Sequence, residues 1–130
     1  MEPTTETLDD ILKKLLNAIP EVRAAAIVSA EGLPIASALP QGVDETRIAA
    51  MIAAVQIISE RAVEELARGN LKRVAIEGVD GLIHLSKAGK NAILVLSAPL
   101  DFSEFRRRAP YDKFNFNNHF GPTSATAPVR

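Results

Sequence analysis

Few positions in this chain are equipped for chemistry. His84 and His119 are the only imidazoles among 130 residues and there is no cysteine. Neither histidine sits in a local nucleophile motif. Acid–base or covalent catalysis needs such a group held against a second one, and no pairing of His, Lys or carboxylate stands out. His84 lies in LIHLS, where Leu82, His84 and Ser86 share one face of an alternating strand and Ile83 and Leu85 the other. That pattern puts His84 on the more polar face, in a structural role. No GxxxxGKS/T phosphate loop occurs, and Gly78 and Gly81 precede a strand rather than a helix, so they read as turn glycines. Two distant histidines and scattered carboxylates give no metal-ligand spacing. Arg106-Arg107-Arg108 is the one notable charge run; it could meet a phosphate or an acidic partner, but three arginines on a short terminal helix are more often a solvated face. The expectation is no catalytic residue, no metal and no cofactor.

Composition points the same way. Fifteen Lys and Arg against sixteen Asp and Glu leave a net charge of −1, which offers no broad basic field for nucleic acid or an anionic membrane. Cysteine-free sequence fits a reducing compartment. The N-terminus is acidic, and no apolar run reaches the roughly 20 residues that span a bilayer. A cytoplasmic protein without membrane insertion or nucleic-acid binding is expected, and 130 residues suit one aliphatic core.

The elements that would position any site are legible from periodicity. Leu8, Ile11, Leu12, Leu15, Leu16 and Ile19 follow helical spacing, with Thr7 and Asp10 placed to cap the start and Pro20 to close the end. Residues 22–29 and 33–39 flank Ala30-Glu31-Gly32 as a hairpin, with Pro34 assigning the second strand to a sheet edge. Asp44 can cap a long helix running to about Ala67. Strands at 72–77, 82–86 and 91–97 then form an antiparallel meander, and 101–108 supplies about two helical turns before Pro110. The order α-β-β-α-β-β-β-(short α) predicts an α/β (α+β) sandwich, a five-stranded antiparallel sheet with helices on both faces.

On the long helix, Ile48, Ile52, Val55, Ala62 and Leu66 form one stripe for the sheet, flanked by Met51, Ile58 and Val63. Ala50, Ala53, Ala54 and Ile57 lie roughly opposite, where a monomer's surface helix usually carries charge. In the last turns this side becomes Glu60, Arg61, Glu64 and Arg68. Such a small-residue patch lets a second copy approach closely about a two-fold axis; exposed alanine is also simply a good helix former.

The ordered segments LDDILKKLLNAIPEVRAAAIVSAEGLPIASALPQGVDE, RIAAMIAAVQIISERAVEELARG and LKRVAIEGVDGLIHLSKAGKNAILVLSA resemble the roadblock family. That family includes dynein light chains of roadblock type and bacterial and archaeal regulators of small Ras-like GTPases. The resemblance covers about residues 6 to 98 and implies a roadblock/longin-like fold. It also implies a noncatalytic, homodimeric regulator or scaffold that binds a small Ras-like GTPase and modulates its nucleotide cycle or localisation. Carried over by position, the implied dimer interface takes Ala50, Ala53, Ala54, Ile57 and Arg61 on the helix and Lys72, Val74 and Ile76 on the following strand. The alternative is a small-ligand sensor of PAS or GAF architecture. Against it, the first hundred residues supply no aromatic ring to line a planar ligand's pocket.

The chain departs from the family at its end. Residues 1–100 read as the roadblock-like domain and 101–130 as an atypical short helix and aromatic tail. All five phenylalanines, Phe102, Phe105, Phe114, Phe116 and Phe120, fall in that tail. It either folds back over the sheet face that a shortened third helix leaves open, or docks on a partner or second subunit, or is an irregularity of the sequence itself.

Overall fold

A computed structural model of the chain describes residues 7–108, the Arg108 side chain excepted. Its elements are α1 (Leu8–Ala18), β1 (Ala24–Ser29), β2 (Pro34–Ala38), α2 (Glu45–Glu65), β3 (Arg73–Gly78), β4 (Gly81–Lys87), β5 (Ala92–Ala98) and α3 (Phe102–Arg108). The strands form one antiparallel sheet in the order β2-β1-β5-β4-β3. The expected hairpin, the meander and the edge position of Pro34 are present.

Local chemistry starts each helix. Thr7 Oγ1 accepts from the Asp10 amide at 3.1 Å while Asp10 Oδ2 accepts from the Thr7 amide at 3.2 Å, a reciprocal capping box. Those bonds favour the ionised carboxylate and lower the Asp10 pKa. Asp44 Oδ1 caps α2 by accepting from the amides of Thr46 and Arg47, and Asp101 Oδ1 caps α3 by accepting from Glu104 N at 2.8 Å. Glu77, at the end of β3, ties α3 down further, its Oε2 accepting from Phe102 N at 3.1 Å.

Two hydrophobic clusters sandwich the sheet. On one face Ile11, Leu12 and Leu15 of α1 pack with Ala25, Ile27, Leu94, Leu96 and Phe105. On the other, Ala49 and Ile52 of α2 pack with Ala26, Val28, Leu85, Ile93 and Val95. β1 and β5 are buried on both faces, as the continuous runs AAAIV and AILVL require.

Two placements differ from the sequence reading. His84 does share a face with Leu82, but that face is core: the imidazole is fully buried, with the Phe105 ring 5.0 Å away centroid to centroid. Phe105 itself is buried against its own domain, the first of the placements open to it in the sequence, so α3 belongs to the packed body. The second difference is that α2 is rotated about its axis. Its buried residues are Ala49, Ile52, Ala53 and Gln56, whereas Met51, Ile58, Ala62 and Leu66, expected to face the sheet, are exposed. The β1–β2 tip lies beside the alanine side of the helix: a Cβ built on Gly32, which has φ +95°, would be in ordinary contact, 3.5 Å from both Ala50 Cα and Ala53 Cβ. Ala53, next to the tip, is buried.

Candidate functional site: an apolar face beside a free strand edge

β3 pairs with β4 and forms one edge of the sheet. Its register places Val74 opposite Leu85 and Ile76 opposite Ile83. Leu85 and Val74 belong to the cluster under α2, and side chains two apart in a strand share a face. Ile76 and Ile83 therefore lie on the α2 side of the sheet. The helix packs chiefly on β1 and β2, and so leaves Ile76 and Ile83 39% and 37% exposed.

The helix completes the face. Met51 and Ile58 lie one turn either side of Val55, which like Val74 packs against the second cluster, and both are open to solvent, Ile58 by 66%. Ala50, Ala54, Ile57 and Arg61 are exposed, as the helical pattern predicts. Ala53 is not: at 6% exposure its methyl is spent against Gly32 inside the subunit. Lys72, just before β3, is exposed; on the strand Ile76 is exposed and Val74 half-buried. The structure thus brings the helix and strand residues to one side of the sheet and adds Met51, Ile58 and Ile83. Ile83 was legible in the alternation of LIHLS. Met51 and Ile58 were not, because periodicity gives the width of an apolar stripe but not its rotation.

The remaining sequence-singled residues lie elsewhere. Phe102 is half-buried, with the Arg106 guanidinium 5.7 Å from its ring centroid, and Arg107 is paired with Glu104. Two members of the arginine run are thus engaged within α3. Phe114, Phe116, Phe120 and His119 fall outside the described residues. Burial, with Arg73 adding a smaller repulsion, pushes His84 down to about 4, so its ring is neutral at neutral pH and packed as a core residue. Among the described residues no three acidic or imidazole side chains group to hold a metal, and no helix is long and apolar enough to cross a membrane.

A family model described as the Roadblock/LC7 domain matches residues 8–98, from the start of α1 to the end of β5. The chain belongs to the Roadblock/LC7 family. Two uncharacterized proteins of Methanocaldococcus jannaschii are each 33% identical to this roadblock chain over 90 residues, 69% of it and 78% of each relative. Among solved structures, the Roadblock/LC7 domain from Streptomyces avermitilis superposes with a TM-score of 0.66 at 22% identity, over 71% of this chain and 78% of that one. Myxococcus xanthus MglB gives a TM-score of 0.75 at 17% identity, over 92% and 98%. At such identities these likenesses establish the fold alone.

Proposed function

We propose that this roadblock protein is a noncatalytic homodimeric regulator or scaffold for a small Ras-like GTPase. One observation carries the dimer: an apolar strip of Met51, Ile58, Ile76 and Ile83 lies beside the edge of β3 that no other strand among the described residues pairs. An exposed strand edge with apolar neighbours is a template for pairing with another chain. A second copy satisfies it about a two-fold axis. β3 pairs with β3 of the partner, doubling the five-stranded sheet, and the two α2 helices meet over Ile76 and Ile83. Ala50 and Ala54 permit close approach, Ile57 and Arg61 border the contact, and Lys72, Val74 and Ile76 supply the strand. Ala53 serves this surface from beneath, by seating the helix.

GTPase binding rests on family membership, since regulators of Ras-like GTPases are among the proteins this chain resembles. The test mixes the purified chain with Ras-like GTPases from the same genome, loaded with GDP or a GTP analogue. Co-elution or altered nucleotide turnover is expected for at least one of them. No complex and unchanged turnover with every such GTPase would overturn the reading. Residues 101–130 are proposed as a family-atypical extension whose first part, α3, closes the core.

A further inference from the structure

The charges of β3 sit at its two ends. Lys72 and Arg73 open the strand, Glu77 lies near its close, and Asp80 follows in the turn. Val74 and Ile76 point to the α2 face, whereas Arg73, Ala75 and Glu77 oppose Ser86, His84 and Leu82 on the face where Phe105 packs. Glu77 Oε2 accepts from the Phe102 amide at 3.1 Å, which holds the carboxylate in place. Such a strand suits an antiparallel copy of itself, because reversal sets the basic start of one against the acidic end of the other; a parallel copy would set like charges side by side. Antiparallel pairing of identical edges places a two-fold axis perpendicular to the sheet. Each face then stays on its own side, so even-numbered residues oppose even ones and odd oppose odd. An axis at Arg73 or Glu77 would oppose like charges. At Val74 it would set Lys72 against Ile76, and at Ile76 it would set Val74 against Gly78 and Ala75 against Glu77. At Ala75 it sets Arg73 against Glu77 and Val74 against Ile76, so charge meets opposite charge on one face and apolar meets apolar on the other.

We infer that β3 selects a second copy of this chain in a single register, with Ala75 on the two-fold axis, Arg73 facing the partner's Glu77 and Val74 facing the partner's Ile76. The inference rests on the β3 contact proposed above and deepens it, by naming the residues that choose a like chain as the partner. The Val74–Ile76 pairs continue the apolar row that Ile76 and Ile83 begin on the α2 face. The small Ala75 side chain, exposed in the subunit, lets the two strands meet at the axis without crowding. An ion pair at a sheet edge adds little affinity. Its effect is on selection: a chain with a like charge at either position meets repulsion twice, once on each side of the axis.

The chain has no cysteine, so single cysteines introduced into the full chain report the register. Directly opposed Cα atoms of an antiparallel pair lie about 4.5–5.5 Å apart, within disulfide reach, and diagonal neighbours about 7–8 Å apart, beyond it. Under mild oxidation Ala75→Cys should give a covalent dimer on a non-reducing gel, and Val74→Cys and Ile76→Cys should not. Charge reversal is the second test. Arg73→Glu and Glu77→Arg, with folding confirmed by circular dichroism, should each weaken self-association about tenfold in sedimentation. Mixed together, the two variants should pair at about wild-type strength, since every opposed pair in that heterodimer again has opposite signs; a loss of local structure would not be rescued by mixing. Crosslinking through Val74→Cys or Ile76→Cys instead of Ala75→Cys, charge variants that self-associate as the wild type does, or variants that stay apart when mixed would overturn this register and leave the β3 contact standing. A monomeric wild type with no crosslink at any of the three positions would overturn both.

Discussion

Ile76 on β3 and Ile83 on β4 are directly opposed cross-strand partners, and both remain open to solvent on the sheet face that α2 only partly covers. Adjacent β-branched residues on a pleated face stabilise each other by about 0.2–1 kcal/mol. That gain does not explain their exposure at the end of a sheet whose middle strands are sealed on both faces. The proposed second chain, laid over them, would bury both.

Phe105 closes the opposite face. Its ring packs on His84 and joins the cluster that α1 builds. Phe105→Ala should destabilise the fold by about 3–5 kcal/mol, the usual cost of emptying a buried phenylalanine site. Chemical denaturation would measure it. A change below 1 kcal/mol would mean that α3 does not close the core.

His84 should make the fold acid-sensitive. Its folded pKa is depressed from 6.5 to about 4, first by burial and then by Arg73. The unfolded chain therefore binds the proton more readily. Stability is full above about pH 6.5, falls as the pH drops towards 4, and levels off below that, for a loss of about 3 kcal/mol. His84→Leu should remove this part of the pH dependence. Denaturation midpoints of both proteins between pH 4 and 7 test it, and parallel curves would contradict it.

Gly81 starts β4 at φ +148°, and a Cβ there would lie 2.4 Å from the carbonyl oxygen of Ala98. Backbone atoms have little room to yield. Gly81→Ala should lower the melting temperature, whereas Gly42→Ala, where φ is +93° and nothing lies within 4 Å of the added methyl, should cost only its backbone strain. The larger loss belongs at Gly81; the reverse order would contradict the close approach.

Much of this was legible in the sequence. Thr7 with Asp10, Asp44, Pro34 and the turn glycines mark element ends through local hydrogen bonding and backbone geometry, and local signals survive folding intact. Side-chain placement depends on distant contacts. His84 read as polar-facing because nothing in LIHLS shows that Phe105, some twenty residues on, covers it. Ala53 read as outward-facing because the helical wheel cannot know that Gly32 lies there. The apolar patch on α2, the β3 residues and the face of Ile83 were legible, but Met51 and Ile58, which complete the face, needed the rotation of the helix.

Sedimentation velocity at micromolar concentration tests the dimer most directly, on the wild-type chain and on Ile58→Glu and Ile76→Glu, with circular dichroism to confirm folding. Association through the α2–β3 face predicts twice the chain mass for the wild type and monomers for both variants. A monomeric wild type, or two folded variants that remain dimers, would contradict it.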